Sequence, residues 1–175
     1  MRPAFRILLS ALVLPVAASP AHARQTFAAT AFVPSLAAER AAPDPEKLQR
    51  MLAEAEAAST NGRDAAAIKI YKAIAAEQRE AGVYAGTALW RMAGAQLFQG
   101  KIVDAASTLD ATAQEAARFG DPTMELKATS EAAILWQKAK RNDIAMSHLD
   151  RVRDLLRSPV IDQELKTSVE RRIVK

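Results

Sequence analysis

No cysteine occurs among the 175 residues, so no disulfide, thiolate metal site or thiol nucleophile can be built from this chain. The same absence excludes a lipid-modified N-terminal cysteine. Histidine is nearly as scarce, with His22 and His148 alone, and a zinc site needing several Cys or His ligands cannot be assembled within one chain. Aromatic residues make up 5%, so a core has to be built mainly from Ala, Leu, Ile, Val and Met. Beyond Ile7 to Ala18 no apolar run approaches the roughly 18 residues a membrane helix needs, and no stable membrane span is expected once that run is removed. Nor does either sign of charge dominate any stretch. From Arg24 to Gly120 there are 11 basic and 11 acidic residues, and from Asp121 to Lys175 there are 11 and 9. A nucleic-acid surface calls for a concentrated basic stripe, so nucleic acid is not an expected partner.

What is present begins with a leader pattern. Arg2 and Arg6 precede the apolar run, and Ala21-His22-Ala23 fits a small-residue cleavage site, which predicts a signal peptide over 1–23 and a periplasmic or secreted protein. Loss of Arg2 and Arg6 takes the 24 basic residues to 22 against 20 acidic ones, so the formal charge of +4 falls to +2. Residues 24–43, rich in Ala with Pro34 and Pro43, read as a flexible linker, and 44–175 as one helical domain.

Helix punctuation recurs every 18 to 20 residues from Asp44 onward. Asp44-Pro45-Glu46 offers an N-cap, a proline suited to the first turn and an acid near the positive end of the dipole. Gly62, Gly82, Gly100 and Gly120 can take the left-handed conformation that ends helices. Asp121-Pro122 and Ser158-Pro159 repeat the cap-plus-proline start. The segments between are rich in Ala, Leu, Glu, Lys, Gln and Arg and carry no internal proline. The expectation is all-α: helices over 44–60, 64–81, 83–99, 101–119, 121–140, 142–157 and 159–173, and no sheet.

Alignment on Ala67, Ala105 and Ala145 shows a repeat at spacings of 38 and 40 residues. Twelve residues before each anchor stands Ala55, Ala93 or Ala133; four after stands Tyr71, Leu109 or Leu149; and Gly62, Gly100 and Lys140 share the turn site. Small residues at two fixed places let paired helices approach closely, and a large residue one turn away fills the groove between them. Small, turn glycine, small, aromatic or leucine, most clearly in Asn61-Gly62-Arg63-Asp64 through Ala67, Ile68 and Tyr71, resembles the tetratricopeptide (TPR) repeat family over about 45 to 157. Two departures stand out: a spacing above the family's roughly 34 residues, and Lys140 at a glycine site. The resemblance implies an α-solenoid, a right-handed stack of three hairpins with a C-terminal capping helix carrying Val160, Ile161, Leu165, Val169 and Ile173.

The resemblance also implies a concave groove that binds a protein or peptide, lined by first helices of the hairpins. Its residues here are Leu52, Glu56, Thr87, Trp90, Gly94, Leu97, Phe98, Lys127, Ser130 and Ile134, with Trp90, Leu97 and Phe98 as the apolar anchor and Gly94 as a notch. Ser59 and Gln137 fall on the same register. Leu52 and Glu56 stand where chaperone-tail-binding members carry Lys and Asn, so a carboxylate clamp is not expected. The competing reading places Trp90 and Phe98 in the core. Catalysis finds no support: His148 is a lone helical histidine, Glu54 with Glu56 do not share a helix face, Asp150 with Asp154 alternate with arginines, and Gly82 and Gly86 lack the ending of a phosphate loop. The expected protein is an adaptor, not an enzyme, without cofactor or metal. Alternatives are a self-associating scaffold, hence a homo-oligomer, and a regulatory subunit of an envelope enzyme.

Overall fold

The computed structural model describes residues 42–173. The expected leader and most of the expected linker lie outside them. Seven α-helices follow one another: α1 (Pro45–Thr60), α2 (Asp64–Glu80), α3 (Gly86–Phe98), α4 (Ile102–Arg118), α5 (Pro122–Lys138), α6 (Asn142–Leu156) and α7 (Gln163–Ile173). Among the described residues there is no strand, and the all-α expectation holds.

Five of the six connections obey one rule. After α1 the Gly62 N–H donates to Ser59 O (2.9 Å) and the Arg63 N–H to Ala58 O (2.8 Å), with Gly62 at φ +70°. This is the Schellman ending, which satisfies two carbonyls that the helix leaves unpaired. Gly82, Gly100 and Gly120 repeat it after α2, α3 and α4, and Lys140 does so after α5 at φ +63° with a side chain in place. The alignment of Lys140 with the turn glycines is therefore a conformational identity.

Side-chain caps are confined to one end of the molecule, where α3, starting from Ala85, goes without. Asp44 caps α1 by accepting from the Glu46 and Lys47 N–H groups, and Asp121 caps α5 by accepting from the Met124 N–H (2.9 Å). At the opposite end α2, α4 and α6 start from Arg63, Lys101 and Arg141, none of which offers a side-chain cap.

Two expected boundaries are corrected. The third helix starts at Gly86 and not at 83, because the Val83 N–H is drawn back to Gln78 O (2.7 Å) and Ala85, fully buried, donates its N–H to Glu115 Oε1 (3.4 Å) on α4. The seventh starts at Gln163 and not at 159, so Ser158-Pro159 caps nothing. Asp162 takes that role by accepting from the Glu164 and Leu165 N–H groups (2.8 and 3.2 Å). Ile161 is the reason: its side chain is buried with Leu126, Val152, Leu155 and Val169, which holds 157–162 in a turn.

Each helix from α1 to α6 packs along its neighbours in chain order, and α7 lies against α5. All six repeat alanines, Ala55, Ala93, Ala133, Ala67, Ala105 and Ala145, are 2% exposed or less, so helices meet at small side chains. Tyr71 and Leu109 are buried beside them, whereas Leu149 is only half-buried. Directions alternate, as short turns between packed helices require. Arg79 near the end of α2 pairs with Glu115 near the end of α4 (3.2 Å), and Tyr84 before α3 donates to Asp121 before α5 (3.3 Å). The turns before α3 and α5 thus share one end of the molecule, and those before α2, α4 and α6 share the other.

Candidate functional site

The predicted interaction residues sit on α1, α3 and α5, but the structure does not gather them into one site. Trp90, Lys127 and Ser130 wall a cleft of about 310 Å³. Leu52 and Thr87 line a separate, smaller cleft of about 160 Å³ with Leu48, Gln49, Ile74 and Gln78. Gly94 and Ile134 border neither. Leu97 and Phe98 also lie outside both, at the C-terminal end of α3, where Phe98 is 82% exposed. The core reading of Phe98 is thereby overturned, and Phe98 does not line the cleft beside Trp90. Trp90 itself is half-buried, packed against the cluster around Ala93, Ala105 and Trp136 while its outer edge faces the larger cleft.

That larger cleft is completed by residues that sequence reasoning did not assign to it: Met124 and Glu131 on α5, and Leu165, Ser168, Val169 and Arg172 on α7. α7 lays Leu165 and Val169, one helical turn apart, over α5, and Arg172 forms an ion pair with Glu131. The amphipathic spacing of Leu165, Val169 and Ile173 marked α7 as a covering helix, yet its docking place depends on the turn at 157–162. Ser130 is buried and its hydroxyl donates to Lys127 O (2.9 Å) on its own helix, which leaves no donor for a ligand. Next to Trp90, a Cβ built on Gly94 would touch nothing within 4 Å, so this face of α3 carries an open notch.

Glu56 is engaged: it forms an ion pair with Arg91, tying α1 to α3 beside Trp90. Arg91 was missing from the predicted set because nothing in the sequence relates positions 35 residues apart on separate helices.

The chemically active side chains make structural links. His148 Nε2 lies 2.9 Å from Asp110 Oδ1, and Trp136 Nε1 donates to the same carboxylate (3.0 Å), which joins α4, α5 and α6. Asp150 and Asp154 are paired with Arg153 and Arg157, each three residues on. Glu115, buried, bonds Arg79 and the Ala85 N–H. Tyr84 covers Gly86, stacks obliquely on Phe119 (5.5 Å between centroids) and is pushed up to about 12, first by its burial and then by the charges of Asp121 and Glu115. Among the described residues no group of three His, Cys, Asp or Glu could hold a metal ion, and no helix is long and apolar enough to cross a membrane. The arrangement offers a cleft with Trp90, Met124, Leu165 and Val169 as apolar walls and Lys127, Glu131 and Arg172 on its rim. Compared with protein-family models, curated proteins and solved structures, the chain matches none of them.

Proposed function

We propose that α1 to α6 form a right-handed stack of three TPR-like hairpins capped by α7, and that the protein is an exported adaptor holding a peptide or helix against α3 and α5. The stack reading rests on the buried alanine pairs, the repeated left-handed joint and packing in chain order. Export rests on the N-terminal sequence pattern. The observation that carries the binding reading is the cleft beside Trp90, with a half-buried indole on its wall and the Glu131–Arg172 ion pair on its rim, next to an open notch outside it one turn along α3 at Gly94. Interface anchors are commonly aromatic side chains seated at such a pocket, with charges at the edge to set orientation.

Photo-crosslinking is the direct test. A photoreactive side chain at Gly94 should capture a polypeptide from envelope extract, and the same group at exposed Gln114 on α4 should not. Trp90→Ala should weaken binding of the captured partner at least about tenfold, the range of an interface hot spot. Equal capture from both positions, or unchanged affinity on loss of the indole, overturns the reading.

A further inference from the structure

One end of the molecule departs from the rules of helix stability in the same way three times. Arg63, Lys101 and Arg141 stand at the N-caps of α2, α4 and α6, where the helix dipole favours anions and where Ser, Thr, Asp or Asn would accept from the first-turn N–H groups. Lys138 and Lys140 add two cations in the last of these turns, against Asp64, Asp104 and Asp143 as the nearby acids. Asp143 accepts from Arg141, which holds its carboxyl below the usual range, and Asp64 accepts from Ser59. At the opposite end Asp44, Asp121 and Asp162 cap, with Glu46 and Glu164 in first turns, while α3 starts there from Ala85 with neither cap nor acid. Among the N-cap residues, cations thus stand at one end and aspartates or alanine at the other.

The cationic end is also apolar at its centre. Around the Gly100 turn, Phe98 is 82%, Val103 55%, Leu97 39% and Ile102 37% exposed. The corresponding turns on either side, Asn61-Gly62-Arg63 and Ala139-Lys140-Arg141, are polar and basic. An aromatic and three aliphatic side chains thus project between two basic turns, with Lys101 among them.

We propose that this end docks on the surface of an anionic lipid bilayer, with Phe98, Ile102 and Val103 entering the headgroup region and the lysines and arginines facing lipid phosphates. The composition favours lipid over other anionic partners. Lysine is depleted at protein–protein interfaces, and Ile and Val offer no polar atoms to read or grip a nucleic acid. A short apolar wedge ringed by cations has the make-up of a peripheral membrane contact, whose two contributions are apolar burial at the interface and attraction to anionic headgroups. Cations at helix starts would be retained there because they serve the contact at some cost to the helices. The site is separate from the cleft beside Trp90.

Vesicle partitioning of the full chain tests this, with phosphatidylcholine vesicles compared with vesicles containing phosphatidylglycerol. Expected is partitioning to the anionic vesicles alone, lost in high salt. Phe98→Ser with Val103→Ser, and separately Lys101→Glu with Lys140→Glu, should each lower it about tenfold with helix content unchanged, because every altered side chain is exposed. A Phe98→Trp reporter should be quenched by brominated lipid, which separates docking through this end from attachment through the N-terminal residues. Absence of binding to anionic vesicles, binding indifferent to both double variants, or a reporter left unquenched overturns the proposal. So does a Phe98-dependent dimer, or retention on nucleic acid, in protein that ignores vesicles.

Discussion

Lys140 holds a backbone conformation that its four counterparts reach as glycine, with φ +63° against +68° to +73°. A side chain in this region crowds the following carbonyl and costs about 1–2 kcal/mol, partly offset because glycine gives the unfolded chain more freedom. Lys140→Gly should therefore raise unfolding stability by about 1 kcal/mol, read as a shifted urea midpoint with unchanged slope. Gly86 presents the opposite case: its φ is ordinary, but a Cβ there would overlap the Tyr84 phenol. Gly86→Ala should displace that ring from Asp121 and Phe119 and lower stability by about 1 kcal/mol, whereas in a Tyr84→Ser background the same change should be neutral or stabilising. Tyr84 also sets an alkaline limit. Its folded form keeps the proton more tightly than the unfolded chain, so its contribution is complete below about pH 10 and fades as pH climbs toward about 12. Ultraviolet titration of the parent against Tyr84→Phe should reveal one phenol ionising near the upper bound. A Tyr84 that ionises near pH 10 contradicts the packing described.

At the scale of the element, stability and surface chemistry pull apart where α4 begins. Lys101 has backbone angles close to those of Asp121, which does cap. Lys101→Ser should accept from the first-turn N–H groups and stabilise by about 0.5–1 kcal/mol in thermal unfolding, while lowering attachment to anionic vesicles. Element existence was legible for physical reasons: close helix approach demands small residues, so Ala67, Ala105 and Ala145 mark the seams, and left-handed turns demand glycine, so four of five joints announce themselves. The starts of α3 and α7 were not legible. Glu115 satisfies the Ala85 N–H from 30 residues away, and Ile161 is drawn inward by a cluster contributed by α5, α6 and α7. Both effects live in tertiary structure. The same limit applied at the site: Trp90, Lys127 and Ser130 were named from the resemblance to TPR repeats, but the wall formed by Leu165, Val169 and Arg172 required knowing how the chain turns at Ser158 to Asp162.

For the whole molecule, packing in chain order gives each helix a different degree of support. α4 and α5 have neighbours on both sides and contain most of the buried polar residues, whereas α1 packs mainly on α2 and α7 rests mainly on α5. Local opening should follow this order. Hydrogen exchange read by mass spectrometry should find amides of α7 and α1 exchanging fastest and those of α4 and α5 slowest; uniform protection along the chain would contradict it.

Packing mainly between chain neighbours, with few links such as Glu56–Arg91 and Arg79–Glu115 reaching one helix further, together with one recurring backbone joint, also makes length an adjustable property. A second copy of residues 83–120 placed after Gly120 would begin and end on the same left-handed hinge and meet the alanine seams it already fits. Growth by duplication would then ask for redesign at the few links that skip a helix, such as Tyr84 with Asp121, much as a ladder accepts another rung once its side rails are retied.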